Sequence, residues 1–149
     1  MNFDIMIDGD PKGQPRARAY ARKMGGKFVA RMYDSDVADA WKAKVRLCVL
    51  FQANALRLQA TEEPFEVLMV FSFQRPESHF LKSGALARGR VVEHLQKPDV
   101  DNLAKLVLDV VTRLKRCWMD DDQVVRLVVE KRWEEVGYSG SLNLKVKSI

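Results

Sequence analysis

Apolar residues alternate with polar ones at both ends of this chain, and they recur at helical spacing twice in between. Phe3, Ile5 and Ile7 take turns with Asp4, Met6 and Asp8, the period of a half-buried strand. Gly9-Asp10-Pro11-Lys12-Gly13 stops it, since Gly and Pro punctuate regular structure. Residues 14–20 read as extended, stiffened by Pro15, and Gly25–Gly26 as a tight turn between two short ribbons that lead to Tyr33. Val37, Trp41, Val45, Cys48 and Val49 lie three or four apart, which predicts a helix from near Asp36 to near Leu58. Ser35 or Asp34 can cap it.

Phe65, Val67, Met69, Phe71 and Phe73 alternate next, while Leu68 and Val70 face the other way. A strand apolar on both faces is expected to be central and covered on both sides. Residues 74–96 show no period and contain Pro76, Gly84 and Gly89, so they read as a mobile arm on the binding surface. Leu103, Leu106, Val107, Val110, Val111 and Leu114 then form the clearest helical stripe in the chain. At about 100° per residue, Asp101, Lys105 and Asp109 fall together on the opposite face, with Leu108 among them. Two strands close the chain. Val125, Leu127, Val129 and Trp133 mark one, Leu142, Leu144 and Val146 the other, and the turn at 137–140 suggests that they pair as a hairpin. The expected fold is α/β of the α+β kind: one domain over residues 1–149, with a mixed sheet packed against two main helices.

Charge changes the picture most at one place. Lys97–Gln123 holds six acids (Asp99, Asp101, Asp109, Asp120, Asp121 and Asp122) in a chain of net charge +5. Basic residues crowd two other stretches, from Lys12 to Arg46 and from Arg75 to Lys97. A pI near 9.3 with clustered arginine points to a polyanion partner, most often nucleic acid. The candidate contacts are Lys12, Arg16, Arg18, Arg75, Lys82, Arg88, Arg90 and Lys97. A solvated basic surface with no partner is the plainer alternative. No apolar run is long enough to span a bilayer. Cys48 and Cys117 match no metal or redox spacing and read as reduced residues of a cytoplasmic protein.

Asp99 and Asp101 straddle the start of the second helix, where a carboxylate can simply cap. Capping does not account for two carboxylates, Asn102 beside them and three more aspartates past the helix end. If the acidic turn folds back to the helix start, the carboxylates would repel unless protonated or bound to a divalent cation. Oxygen ligands without Cys or His select a hard ion, Mg²⁺ or Mn²⁺. A calcium loop is excluded, because Ala104 stands where glycine is required and Val110 where the last glutamate belongs. An Asp-x-Asp sugar transferase is disfavoured by the short chain. A hard metal in a basic protein points to phosphodiester hydrolysis, with Lys105 one turn from Asp101 as donor to a phosphate oxygen. A plain Asp101–Lys105 ion pair, worth about 0.3–0.5 kcal/mol, is compatible with that role.

Lys97-Pro98-Asp99-Val100-Asp101-Asn102-Leu103-Ala104-Lys105, then Asp109, then Trp118-Met119-Asp120-Asp121-Asp122-Gln123, resembles the RusA family of Holliday-junction resolvases. The early Gly-Asp-Pro-Lys-Gly-Gln-Pro-Arg run, Ser78-His79 and His94 look like phage-borne members. The resemblance implies a mixed α/β homodimer that cuts four-way DNA junctions with Mg²⁺ or Mn²⁺, in a bacterial host cell and encoded by phage or prophage. By motif position, Asp99, Asp101 and Asp121 would hold the metal, with Asp120 the neighbouring acid and Lys105 the catalytic lysine. Asp122 carries least weight. Some members have several arginines just before the first Asp; here only Lys97 is basic, so those contacts are expected to move to residues 74–96. Two symmetric nicks need two acidic clusters, which a two-fold dimer supplies. A nuclease for forks or flaps, and a non-catalytic protein that binds branched DNA, are the rival readings.

Overall fold

The computed structural model describes residues 1–33 and 35–149, with the backbone alone at Arg18, Met32 and Tyr33. Along the chain come β1 (Asn2–Asp8), β2 (Arg18–Met24), β3 (Lys27–Tyr33), α1 (Asp39–Ala55), β4 (Phe65–Phe73), α2 (Val100–Leu114), β5 (Val124–Trp133) and β6 (Ser141–Ser148). Single 3₁₀ turns sit at Asp36–Ala38, Glu77–His79 and Asp121–Gln123. Four strands form one sheet in the order β1-β6-β4-β5, and β2 and β3 form a separate two-stranded ribbon. The fold is mixed α/β with two helices, as the patterning predicts. No helix of the described residues is long and apolar enough to cross a membrane.

β4 is an inner strand, parallel to β5 and antiparallel to β6. Phe65, Val67, Met69 and Phe71 are fully buried, while Leu68 and Val70 are half-buried, so one face is sealed and the other only partly covered. The expected β5–β6 hairpin does not form. The β4–α2–β5 crossover carries β5 to the outer edge of β4, and β6 slots antiparallel between β4 and β1. Burial explains the choice: Leu142, Leu144 and Val146 are sealed, as an inner strand requires, whereas Val125 and Leu127 on β5 are exposed. Gly140 makes the crossing possible. A Cβ there would sit 2.6 Å from the Gly9 carbonyl oxygen and 3.0 Å from that of Ser72.

Ser35 caps the turn that leads into α1, accepting from the Val37 N–H at 3.3 Å; Asp34, the other candidate, lies outside the described residues. Trp41, Val45, Val49 and Ala53 bury one stripe of α1, whereas Val37 is exposed. The helix ends at Ala55, short of Leu58, where Arg57 takes a left-handed φ of 52°. In α2, Leu103, Ala104, Leu106, Val107, Val110 and Val111 are buried. Truncating one such large side chain costs about 2–5 kcal/mol, against about 0.3–0.5 kcal/mol for a helical ion pair. The apolar stripe therefore holds α2 in place, and its polar edge is free for chemistry. Leu108 packs at the margin of the core.

Residues 74–96 are docked on the sheet, so the expectation of a free arm is corrected. Arg75 donates to the carbonyls of Glu134 (3.3 Å) and Val91 (3.1 Å), and the Trp133 N–H to Val92 (2.7 Å). Both histidines turn inward. His94 stacks 4.2 Å from Phe73 and 4.2 Å from Trp133, and His79 meets Trp133 edge-on at 4.7 Å. Pattern-reading missed this because the anchors are aromatic rings on β4 and β5, distant in sequence.

Candidate active site

Asp99 takes the N-cap position of α2, yet its side chain accepts nothing from the first turn; only its backbone carbonyl does, from the Leu103 N–H at 3.1 Å. Its carboxylate is left exposed and unused by the helix. Asp101 and Lys105 are also exposed, and among the described residues they form no ion pair. The structural roles that would occupy these three side chains are therefore vacant. Beside them lies the N-terminal basic run: the Gln14 N–H donates to the Asn102 carbonyl at 2.9 Å. A Cβ on Gly13 would come within 3.2 Å of both Asn102 and Pro98, so the run packs closely on the helix start.

The acidic turn is positioned by what precedes it. Lys115 ends α2 in a left-handed conformation (φ 49°) and its ammonium bonds the Met119 carbonyl. Trp118 is fully buried, tilted against Phe65 at 5.6 Å, and its indole N–H donates to Thr112 at 2.7 Å. Asp120 then caps the 3₁₀ turn, accepting from the Asp121 N–H at 2.8 Å. Its carboxylate is bonded by the Asp121 side chain, which holds Asp120 below the usual carboxylate range. Asp121 moves the other way: the bond to Asp120, desolvation, and the negative charges of Asp120 and Asp109 all raise its pKa.

Asp109 thus faces the turn. Asp101 lies eight residues earlier on the same helix, on the order of 12 Å along the axis. The turn folds back on α2 near Asp109, while Asp99 and Asp101 stay at the helix start. No three Asp, Glu, His or Cys side chains among the described residues gather closely enough to hold a metal. In kind, the donors fit a hard cation: every one is a carboxylate, and both histidines are buried against Trp133. Cys117 is buried too, its thiol pushed up to about 12. In arrangement, the turn acids lie on the Asp109 side and the helix-start acids apart from them, so the described residues form no finished cage.

The basic candidates divide. Lys12 pairs with Asp10 at 2.6 Å. Arg75 is half-buried in the docking of residues 74–96, and Arg90 donates to the Ser78 carbonyl at 3.0 Å from an exposed position. Arg16, Lys82, Arg88 and Lys97 are exposed; the Arg18 side chain lies outside those described.

Two positioning residues escaped the sequence reading. Gln123 is one: its carbonyl oxygen accepts from the N–H groups of Met119 (2.7 Å) and Asp120 (3.0 Å), and its amide donates to Thr61 (2.8 Å) and Glu63 (3.0 Å). The capping-box spacing from Asp120 to Gln123 is the signal that could have found it. The other is Lys131 on β5, whose ammonium donates to the carbonyls of Gln96 and Pro98. Nothing in the local sequence marks it.

The chain is a mixed α/β domain with carboxylates and a lysine along one helix edge, beside a basic N-terminal run. The family model for endodeoxyribonuclease RusA matches residues 8–139, and the chain belongs to that family. Membership implies Holliday-junction-resolving endonuclease activity on branched DNA. No curated protein matches the chain.

Proposed function

We propose that the chain resolves four-way junctions as a homodimer dependent on Mg²⁺ or Mn²⁺, with Asp99 and Asp101 holding the cation at the helix start, Asp121 joining them when the acidic turn closes on it, and Asp120 supporting Asp121. The carrying observation is that Asp99, Asp101 and Lys105 are exposed on α2 and spent on neither a cap nor an ion pair. A bound cation would supply an activated water and charge neutralisation at the scissile phosphate. The chain's own residues do the rest. Lys105, one turn past Asp101, donates to a non-bridging phosphate oxygen as charge builds there. The apolar stripe of α2 fixes the helix backbone from which Asp101 and Lys105 project. Arg16 and Lys97 meet the backbone on either side, and work on DNA places the protein in the bacterial cytoplasm. Cleavage of labelled junction, replication fork and linear duplex, each with and without Mg²⁺, tests the proposal. Paired symmetric nicks in the junction, dependent on metal, are expected. Equal cutting of all three substrates, or cutting unchanged by chelation, would overturn it.

A further inference from the structure

The ribbon of β2 and β3 plays no part in the acidic edge, yet the charge of the molecule is concentrated in it. Residues 18–33 contain Arg18, Arg22, Lys23, Lys27 and Arg31 and not one of the 20 acids. The rest of the chain holds as many acids as cations, so the whole net charge of +5 resides here. Every residue from 19 to 31 is exposed, and the two strands pair only with each other. Arg22, Lys23, Lys27 and Arg31 form no ion pair among the described residues. An isolated two-stranded hairpin is marginal in water, and one whose residues 19–31 are all exposed gains order from whatever is laid on it.

The register gives the ribbon two distinct faces. Tyr20 opposes Arg31 and Arg22 opposes Val29, and these four share one face with Met24 and Lys27. Lys23 opposes Phe28 on the other, with Ala19, Ala21 and Ala30. Gly25 and Gly26 turn the chain at the tip with φ of 57° and 80°, the pair of left-handed residues that a tight hairpin needs. Beside the tip, Phe28 is 77% exposed, between Lys23 across the ribbon and Lys27 before it.

We propose that this ribbon is a DNA-gripping element: Arg22 and Arg31 lie on a sugar–phosphate backbone, and Phe28 rests on base faces exposed at the branch point. The proposal rests on the junction-cleaving reading. Unpaired cations without acids match a polyanion, and an aromatic ring stacks on any base whose face is uncovered. A second copy of the chain is the poorer occupant, since two ribbons of five positive charges each would repel across a two-fold axis.

Binding of the full chain to a labelled four-way junction and to linear duplex, by fluorescence anisotropy in EDTA over a range of salt, tests it. Arg22→Ser with Arg31→Ser is expected to weaken binding to both substrates and to lower the salt slope by about 0.9 per lost phosphate contact. Phe28→Ser is expected to lose about tenfold on the junction and little on duplex, a size in keeping with loss of one stacked base. Thermal unfolding of both variants should match that of the parent, because Arg22, Phe28 and Arg31 are exposed. Variants that bind the junction as the parent does overturn the proposal. So do variants that lose self-association alone. If the parent chain binds no junction, the junction-cleaving reading falls together with the ribbon; if the parent binds and cuts and the variants do the same, the ribbon alone falls.

Discussion

The ammonium of Lys131 on β5 donates to the carbonyl oxygen of Pro98 at 2.9 Å, one residue before the first acid of the motif. A second bond reaches the Gln96 carbonyl. An edge strand thereby holds the backbone that delivers Asp99. Hydrogen bonds involving a charged group contribute about 1.5–3 kcal/mol, and Lys131 is only half-buried. Lys131→Met should therefore cost about 1.5 kcal/mol in denaturant unfolding. It should also slow single-turnover cleavage while junction affinity holds. A stability loss with unchanged cleavage would leave Lys131 a structural tie and nothing more.

Gln123 should matter more than a surface amide ordinarily does. Its four hydrogen bonds brace the acidic turn and tie it to the loop that precedes β4. Gln123→Ala strands two N–H groups and two carbonyls at once, with an expected loss of about 1–3 kcal/mol. Because the turn positions Asp121, the variant should also need more Mg²⁺ to reach half-maximal rate. Gln123→Glu, which keeps the acceptor, should recover part of that loss. An unshifted metal requirement in the alanine variant counts against Asp121 as a ligand.

The histidine cluster gives the fold a pH dependence of known sign. Burial lowers the pKa of His79 and of His94 from 6.5, with Arg90 and Arg75 adding to it at His79 and Lys131 at His94. As pH falls below 6.5, the unfolded chain takes up protons that the folded chain refuses, so stability falls. Above that value both states are neutral and the contribution is level. The melting temperature should decline as pH falls below 6.5. His94→Phe keeps the stack between Phe73 and Trp133 and removes the titrating ring. Its decline should be shallower than the parent's, and an equally steep one would place the titration elsewhere.

Lys105→Ala separates binding from chemistry. The side chain is exposed and forms no ion pair among the described residues, so the fold should be unaffected. Loss of one transition-state donor typically costs about 10²–10³ in rate, and that is the expected drop at saturating metal. Junction affinity should hold within about twofold, since one phosphate contact among several is removed. Abolished binding would recast Lys105 as a DNA anchor.

The elements that bury a regular stripe were legible from the sequence: α2 from Leu103 to Val111, β4 from Phe65 to Phe73, and β1. Strand order was not, because the pairing of β6 with β4 and β1 depends on where the β4–α2–β5 crossover leaves room. The docking of residues 74–96 was hidden for a related reason: no local period records that His94 will sit between Phe73 and Trp133. At the site, the motif acids and Lys105 stood out by type and spacing. The partners that hold them, Lys131 and Gln123, reach backbone carbonyls, and carbonyls carry no sequence signature.

Asp101 bears the central claim most directly. Its carboxylate is exposed in the first turn of α2 and forms no ion pair among the described residues, so Asp101→Asn should unfold much like the parent and still bind a four-way junction. With Mg²⁺ present, single-turnover nicking of that junction should fall at least about 10²-fold. Nicking at the parent's rate by the folded Asp101→Asn protein would contradict the account.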